Sequence, residues 1–379
     1  MKINRTDKSI LGQWWWTIDR WGLTAVFAMI LFGIVLVTAA SPSVAVRIGL
    51  EPFHFVYRHL IFLIPTILLI FGISLMNRRM LWRLSSLMFA GSILLIMATL
   101  IFGDEVKGAS RWIYLFGFSL QPSEFLKPAY AVTGAWLIAK QHQNENFPGV
   151  KIATGLLLLG LTLLLMQPDL GMSIVLASIW GVHIFLSGLS FVFIIALILF
   201  GCIALIMAYL FFPHVSSRIN RFLDPASGDN YQINNSLSAF QNGGLFGTGP
   251  GQGEIKTRLP DAHADFIFSV AGEELGLIMT LMLVGLFAFF VIRCINRVLH
   301  NRDLFVILAT GGLVTQFALQ SLIHMGSSLR LLPAKGMTLP FISYGGSSLL
   351  ALGISTGLLL ALTRRRITYV KPHTPRQKD

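Results

Sequence analysis

The sequence predicts an all-α polytopic membrane protein with about ten transmembrane helices, and three features of the chain support this fold class. Hydrophobic residues make up 54% of its 379 residues, charged residues make up only 12%, and the mean hydropathy is +0.71. A soluble domain is nearer to about 45–50% apolar and 25% charged, so this chain has too little polar surface to face water. The apolar residues fall in runs of about 20, the length that crosses a bilayer. Lysine and arginine are concentrated in alternate connections between these runs.

The expected spans follow from the apolar runs and the polar or turn-forming residues between them. The fifth and sixth runs are short and are joined by the tight link at 167–171, while Ser187–Ser190 alone separates the sixth from the seventh. The predicted spans are about 21–41, 54–76, 82–102, 123–140, 151–167, 170–187, 190–212, 265–294, 304–328 and 340–363.

The positive charges set the expected orientation of the spans. In a soluble chain a net charge of +12 would suggest a nucleic-acid partner, but in a membrane protein it is first a topology signal because cytoplasmic connections are rich in Lys and Arg. The alternation of basic connections requires an even number of spans and places both termini in the cytoplasm. The chain then divides into a cytoplasmic tail at 1–20, one transmembrane domain at 21–363 and a basic cytoplasmic tail at 364–379.

Two outer connections and several charges within spans indicate a functional site on the outer side. The extracytoplasmic loops cover about 103–122 and 213–264, and the second, between helices 7 and 8, is too long to be a simple connection. A charge at a helix centre costs about 2.5–3.5 kcal/mol, so the charges within spans are expected to line an interior or to pair. These residues are Glu124, Lys127, Asp169, Asp265, Glu273 and Glu274.

Helical spacing relates some of these charges to one another. Glu124 and Lys127 are three residues apart and share a helix face, which fits either a structural ion pair or the wall of a substrate cavity. Asp265 opens the eighth span at its outer end. Glu273 lies about 80° around the helix from Asp265, whereas Glu274 points almost the opposite way and is expected to meet a neighbouring helix.

The outer rim of the predicted bundle is strongly basic. So many cations beside an intramembrane acid suit an anionic, phosphorylated, lipid-linked substrate. Composition and spacing lead no further than an outward-facing acid with a basic collar. The collar consists of Lys107, Arg111, Arg218, Arg221, Lys256, Arg258, Arg330 and Lys335.

Five sequence blocks resemble the signatures of one known family. They resemble, in order along the chain, the motifs of the SEDS family of shape, elongation, division and sporulation proteins. The block at 332–348 is nearer to the division members than to the elongation members, although Ala334 and His324 depart from the usual division pattern. The five blocks are Lys107–Trp112, Gln121–Lys127, Gln167–Gly171, Leu259–Phe268 and Leu332–Ser348, and three shorter ones in and after the long loop, Tyr231–Gln232, Gly243–Gly251 and Glu273–Gly276, add to the resemblance.

The resemblance implies a peptidoglycan glycosyltransferase with Asp265 as its essential acid. Members of the family polymerise lipid II, an undecaprenyl-pyrophosphate-linked disaccharide-pentapeptide, on the outer face of the cytoplasmic membrane. The implied partners are a class B penicillin-binding transpeptidase and other division proteins, at the division septum, with no nucleic acid. The residues expected to bind substrate or to organise its cavity are Lys335, Arg111, Lys107, Arg221, Glu124, Lys127, Asp169, His263 and Ser343.

The chemistry of such a transfer suits one carboxylate beside a basic collar. A weakly acidic sugar hydroxyl needs a general base, and a pyrophosphate leaving group needs cations that stabilise its developing charge. A glycoside hydrolase would instead need two carboxylates at a defined separation. A divalent cation, Mg²⁺ or Mn²⁺, between Asp265 and the pyrophosphate is compatible with the sequence, although no metal-ligand spacing demands it.

Three other functions remain open: a lipid II flippase, a non-enzymatic scaffold for division, and another lipid-linked glycan polymerase or ligase. The glycines at 243, 244, 247 and 249 are expected to bend the long loop sharply or to bring it close to substrate. The Gly345–Ser348 stretch is interpreted as small-residue helix packing. Cys202 and Cys294 are interpreted as inert packing residues.

Overall fold

The structure is a bundle of long helices that carries one short β-hairpin and a folded loop at one end. The computed structural model describes residues 9–103, 110–115, 117–188, 213–223, 231–333 and 336–364, together with isolated positions between 195 and 211. The helices within these ranges are α1 (Ile10–Thr17), α2 (Arg20–Arg47), α3 (His54–Ser74), α4 (Arg78–Phe102), α5 (Pro122–Gln143), α6 (Gly149–Met166), α7 (Leu170–Leu186), α8 (Pro213–Leu223), α9 (Tyr231–Gly243), α10 (Ile267–Val298), α11 (Leu304–Ser328) and α12 (Gly346–Leu362). The hairpin strands are β1 (Ile113–Leu115) and β2 (Phe118–Leu120).

The long helices confirm the predicted polytopic fold. Within the described part of the chain, α2, α3, α4, α6, α10 and α11 are each long and apolar enough to cross a membrane, and α7 and α12 are shorter apolar helices. Each predicted span except the seventh matches a helix. The seventh, 190–212, falls mostly outside the described residues.

Helix α5 lies at the centre of the bundle, which explains its polar composition. It packs against α4, α6, α7, α11 and α12, and most of its side chains are buried. A helix enclosed by other helices does not face lipid, so it can carry charged residues that a peripheral span cannot. The central position of α5 therefore makes room for Glu124 and Lys127 near its outer end.

Ion pairs join connections that the charge pattern assigns to the cytoplasm. Asp19, between α1 and α2, lies 2.9 Å from Nη2 of both Arg293 and Arg297 at the end of α10. Arg78 at the start of α4 pairs with Asp303, the residue before α11. Burial raises the pKa of Asp19, but hydrogen bonds from the two guanidinium groups outweigh burial and hold the pKa below its ordinary value. These contacts place four chain segments on one side of the bundle, as the alternation of basic connections predicts.

Both predicted outer loops contain regular structure that apolar runs could not reveal. In the first, β1 and β2 pair antiparallel, and Gly117 turns the chain between them with a φ of 78°. The second contains α8, α9 and a short 3₁₀ helix at Ile255–Thr257. These elements are much shorter than the about 20 apolar residues that mark a span, so hydropathy alone cannot separate them from irregular loop.

Several element boundaries differ from the prediction for identifiable reasons. Helix α12 begins at Gly346 rather than at 340, because the apolar residues before it form buried turns instead of helix. Helix α10 begins at Ile267 and contains a break at Gly276, whose φ of 76° and ψ of 178° are not helical. Within the predicted N-terminal tail, residues Ile10–Thr17 form α1.

Candidate active site

A cavity of about 260 Å³ lies at the end of the bundle that the charge pattern assigns to the outer side. The ends of α3, α5 and α12, the hairpin and the turns that precede α10 all contribute to its wall. Three predicted site residues, Glu124, His263 and Asp265, therefore share one cavity. The residues that line the cavity include Arg58, Gln121, Glu124, Asp261, His263, Asp265, Gly336, Thr338, Tyr344, Ser347 and Ser348.

Asp265 lies in a series of turns directly before α10, and it is partly exposed to the cavity. Its backbone N–H donates to the carbonyl of Asp261 (2.9 Å), and Asp261 adopts a positive φ of 52° that tightens the turn. Gly336 borders the carboxylate, since a Cβ at that position would lie only 3.2 Å from Asp265 Oδ2. The carboxylate is thus held between its own turn and the chain that leads to α12.

A second set of turns, just before α12, holds the Asp265 segment in place. The Ser343 hydroxyl donates to the carbonyl of Ala264 (2.6 Å), and the backbone N–H of Tyr344 donates to the carbonyl of His263 (2.9 Å). The structure thus gives Ser343, predicted as a substrate contact, a contact with the backbone beside the catalytic candidate. Its side chain is buried.

His263 forms part of the cavity wall as a neutral ring. It stacks on Phe55, with ring centroids 4.3 Å apart, and is almost fully buried. Burial lowers the pKa of His263 to about 4, and the nearby Arg47 lowers it further, while Asp261 opposes both. At neutral pH the ring is therefore uncharged, so it shapes the cavity next to Asp265 without contributing to its positive charge.

Glu124 and Lys127 form the ion pair that their spacing predicts, and Glu124 also lines the cavity. Lys127 Nζ lies 2.8 Å from Glu124 Oε2 and donates to Gln320 Oε1 of α11 (3.0 Å). Gln320 Nε2 donates in turn to the carbonyl and to the hydroxyl of Thr338 (both 3.1 Å). Thr338 lies 2.5 Å from Ser348 Oγ at the start of α12. A continuous polar chain therefore joins α5, α11 and α12 beneath the cavity.

Three helices begin at or beside the cavity, each with its N-terminus towards it. Helix α5 begins at Pro122, α12 at Gly346 and α10 at Ile267, two residues after the catalytic candidate. The Ser347 hydroxyl accepts a hydrogen bond from the backbone N–H of Gln121 (2.9 Å), which ties the starts of α5 and α12 together. Helix N-termini carry unpaired N–H groups and a partial positive charge, so their convergence favours an anionic ligand. The Gly345–Ser348 stretch therefore lines the cavity, beyond the packing role expected of it.

Arg58 is the cavity cation that the sequence reasoning missed. It lies in the first turns of α3, lines the cavity and donates to the carbonyl of Gly117 in the hairpin turn (2.9 Å). An arginine within an apolar span, close to its outer end, is a signal that could have identified it.

The structure places none of the other predicted phosphate contacts in the cavity wall: Arg111 lies elsewhere, and the side chains of the rest fall outside the described residues. Arg111 donates to the carbonyls of Gln167 (2.9 Å) and Pro168 (2.7 Å) and lies 3.6 Å from Asp169. It therefore fastens the first outer loop to the α6–α7 link, where Asp169 also caps α7. Lys107, Lys335 and the side chain of Arg221 lie outside the described residues.

Glu273 and Glu274 face the long outer loop. Glu273 accepts hydrogen bonds from Asn242 Nδ2 (2.9 Å) and from the backbone N–H groups of Ile255 (2.8 Å) and Lys256 (3.0 Å). Glu274 pairs with the Lys256 ammonium group. Glu274, expected to meet a neighbouring helix, thus meets the 3₁₀ helix Ile255–Thr257 of the long loop, because the loop folds back against α10 and encloses both carboxylates.

No group of three or more His, Cys, Asp or Glu side chains that could hold a metal ion occurs in the described part of the chain. Asp261 and Asp265 both line the cavity, and any cation bound there would need further oxygen ligands from the substrate. Cys294 is a free, buried thiol at the far end of α10, and Cys202 lies outside the described residues.

Comparison with known proteins shows which family the chain belongs to. The family model for cell cycle proteins, which covers FtsW, RodA and SpoVE, matches residues 20–367. A probable peptidoglycan glycosyltransferase FtsW from Caulobacter vibrioides (strain NA1000 / CB15N) is 42% identical over 363 residues, which cover 96% of this chain and 93% of the relative. A probable peptidoglycan glycosyltransferase FtsW from Aliivibrio salmonicida (strain LFI1238) is 34% identical over 371 residues, covering 95% of this chain and 92% of the relative.

Solved structures show the same fold. A chain from a peptidoglycan synthase complex that coordinates polymerization and crosslinking superposes with a TM-score of 0.76 at 27% identity, covering 91% of this chain and 97% of that one. The rod shape determining protein RodA of Thermus thermophilus gives a TM-score of 0.67 at 26% identity, covering 92% and 97%. The resemblance predicted from the five sequence blocks is confirmed, and this chain belongs to the family of cell cycle proteins that includes FtsW, RodA and SpoVE.

Proposed function

We propose that this chain is a peptidoglycan glycosyltransferase that polymerises lipid II on the outer face of the cytoplasmic membrane. The single observation that carries this proposal is the cavity in which Asp265 and Arg58 lie together with the converging helix N-termini. It offers a base for a sugar hydroxyl and a positive environment for a lipid-linked pyrophosphate. The FtsW relatives are named for the same activity.

In the proposed reaction, Asp265 acts as the general base. Its carboxylate takes the proton of the acceptor hydroxyl while the hydroxyl oxygen bonds to the anomeric carbon of the donor sugar. The bond from that carbon to the pyrophosphate oxygen breaks, and its electron pair leaves with undecaprenyl pyrophosphate. Direct displacement inverts the anomeric centre, so an α-linked donor becomes a β-linked glycan. The proton passes from Asp265 to water at the open side of the cavity.

The leaving group is stabilised by positive charge around the cavity. Arg58 and the N-termini of α5 and α12 are fixed before substrate arrives, so they need little rearrangement as the phosphate charge develops. Lys335, Lys107 and Arg221 remain proposed contacts for the pyrophosphate or its approach, whereas Arg111 is held by the backbone of the α6–α7 link. A divalent cation held between Asp265 and the phosphate oxygens would supply additional positive charge there.

The polar chain beneath the cavity supports the base rather than replacing it. Glu124 is paired with Lys127, and Lys127 in turn donates a hydrogen bond to Gln320, so the Glu124 carboxylate has a structural role. Asp265 lies next to Gly336 and is partly exposed to the cavity, whereas Glu124 is buried, so an acceptor sugar in the cavity can reach Asp265 more readily. The division of roles makes one carboxylate the base and the other an organiser of the wall.

Partners and location follow from the same proposal. A glycan polymer requires crosslinking, so we propose that a class B penicillin-binding transpeptidase binds this chain. The structural likeness to a chain of a peptidoglycan synthase complex supports such an assembly. The likeness to FtsW favours action at the division septum, in the inner membrane.

The proposal is tested by replacing Asp265 with Asn in the purified full-length protein. Labelled lipid II is incubated with the variant in detergent, with and without a transpeptidase, and the glycan products are separated on a gel. We expect Asp265→Asn to reduce polymer formation by at least about 10²-fold, the usual contribution of a general base. Glu145→Gln, at an exposed cytoplasmic position, is the control and should polymerise at the wild-type rate.

The same assay separates the alternatives. A flippase would form no polymer in detergent, where there is no bilayer to cross, and a scaffold would form none under any condition. Polymerisation by Asp265→Asn at the wild-type rate would exclude Asp265 as the base. Polymer formed only when lipid II is replaced by another lipid-linked glycan would reassign the substrate.

A further inference from the structure

The break in α10 is closed by another part of the chain. At Gly276 the helix loses its regular hydrogen bonds, which leaves the carbonyls of Glu273 and Glu274 and the N–H groups of Leu277 and Ile278 without helical partners. The segment 243–249, called the clip below, supplies the missing partners from its own backbone. The four bonds are Thr248 N–H to Glu273 O (2.9 Å), Gly249 N–H to Glu274 O (3.0 Å), Leu277 N–H to Gly244 O (3.0 Å) and Ile278 N–H to Leu245 O (3.3 Å).

Glycines allow the clip to approach the helix this closely. A Cβ on Gly243 would meet the backbone of Gly272 and Glu273, and one on Gly247 would meet the backbone of Glu274. Gly244, with a φ of 53°, adds a left-handed turn. The clip thus lies in backbone contact with α10, and four of its backbone polar groups, at Gly244, Leu245, Thr248 and Gly249, bond to the helix rather than to water.

The lengths of two helices, α10 and α2, each place the clip at the outer edge of the hydrocarbon core. From Arg293, near the cytoplasmic end of α10, to Glu274 there are 19 residues, or about 28 Å of helix. From Arg20 to Ala39 on α2 there are also 19 residues, and the Lys256 ammonium group, which pairs with Glu274, donates to the carbonyl of Ala39 (3.0 Å). A bilayer core is about 30 Å thick, so both helices reach its outer boundary beside the clip.

The clip presents two large apolar side chains on the outside of the bundle at this depth. Phe246 is 81% exposed and Leu245 is 58% exposed. They continue an exposed apolar surface of α10 that includes Leu277, Ile278 and Met282. Backbone groups that bond to the helix, with apolar side chains on the outside, suit contact with hydrocarbon.

We propose that Leu245 and Phe246 insert among the acyl chains of the outer leaflet, so that the clip anchors the long outer loop to the bilayer. The loop runs on from the clip through Lys256 to the turns that carry Asp265. Anchoring it holds the cavity at a fixed height above the hydrocarbon. The inference rests on the membrane-spanning fold and is independent of the reaction proposed above.

Fluorescence quenching by brominated lipids tests the insertion. Phe246→Cys is made in a chain that carries Cys202→Ser and Cys294→Ala, labelled with bimane and reconstituted into phosphatidylcholine vesicles with bromine at acyl carbons 6 and 7 or at 11 and 12. The lipid-facing control is Met282→Cys, about 9 Å deeper along α10. The aqueous control is Gln252→Cys, an exposed position in the same outer loop.

We expect the label at 246 to be quenched by brominated lipid as strongly as the label at 282, with the shallow bromines more effective at 246 and the deep ones at 282. Aqueous iodide should quench only the label at 252. Leu245→Cys provides a second reporter and should behave like the label at 246. Quenching at 246 by iodide instead of by lipid would overturn the proposal, and a label quenched by neither would show that a protein surface, such as a second copy of the chain, covers the clip.

Discussion

At the residue scale, the charges within predicted spans are enclosed by protein, and each has a specific partner or position. The Glu124–Lys127 spacing was compatible with an ion pair or with a cavity wall, and the structure shows both, because Glu124 pairs on one side and lines the cavity on the other. Sequence spacing predicts that two residues share a face. It does not predict the third residue, here Gln320, which comes from a distant helix.

Removing one member of this buried ion pair should lower the free energy of unfolding. Lys127→Met leaves the Glu124 carboxylate buried without its cation, which destabilises proteins by about 3–5 kcal/mol. The double variant Glu124→Gln/Lys127→Met removes both charges and should regain most of that loss. Thermal unfolding of the purified variants in detergent measures the difference. A single variant as stable as the wild type would show that the pair contributes little to stability.

Arg58 shows a second limit of prediction from sequence at the residue scale. It lies in an apolar run near a span end, where a lone arginine is easily read as a topology signal, and only the folded chain places it in the same cavity as Asp265. The predicted collar instead included Arg111, which the structure commits to the backbone of the α6–α7 link. Net charge on one side of a membrane does not identify which cations reach the substrate.

We expect Arg58→Ala to lower kcat/KM for lipid II by about ten- to hundredfold, since a charge-assisted hydrogen bond contributes about 1.5–3 kcal/mol. The matched control is Arg258→Ala, an exposed arginine on the same outer side that does not line the cavity. Initial rates at varied lipid II concentration measure both. Equal rates for the two variants would remove Arg58 from the substrate site.

At the element scale, long apolar helices are predictable and the elements that build the cavity wall are less so. Hydropathy identifies a helix wherever about 20 apolar residues must cross lipid. The turns at 259–266 and before α12 are also rich in apolar residues, but their conformation depends on hydrogen bonds to each other, such as Ser343 to Ala264. The glycines of the long loop were correctly expected to bend it, whereas their docking onto α10 depends on the break at Gly276.

Gly276→Ala should distort this docking. A φ of 76° with a ψ of 178° belongs to a region that only glycine adopts readily, so alanine there costs about 1–3 kcal/mol in strain. Its Cβ would also meet the backbone of Phe246 and Gly247. Gly285→Ala lies in the same helix, where an added Cβ meets nothing within 4 Å, and should be neutral or slightly stabilising. Unfolding temperatures of the two variants should therefore move apart, and equal values would mean that the break is tolerated by any residue.

At the scale of the whole molecule, the helices enclose a polar interior and place the cavity at one end. The ion pairs of Asp19 with Arg293 and of Arg78 with Asp303 join segments that the charge pattern assigns to the cytoplasmic side. The cavity is built from segments that the same pattern assigns to the other side. The positions of the described spans were therefore predictable from hydropathy and their alternation from charge, while the packing of α5 at the centre required the fold.

This arrangement makes a direct prediction about orientation, on which the proposed reaction depends. Glu145, in the α5–α6 connection, and Glu254, in the long outer loop, are both exposed acids. In a chain that carries Cys202→Ser and Cys294→Ala, Glu254→Cys should react with a membrane-impermeant maleimide in intact spheroplasts, whereas Glu145→Cys should react only after lysis. Because Asp265 lies in the same outer loop region as Glu254, labelling in the reverse pattern would place the cavity on the cytoplasmic side. A polymerase that faces the cytoplasm could not deliver glycan to a wall outside the membrane, so that result would exclude the proposed function together with the orientation.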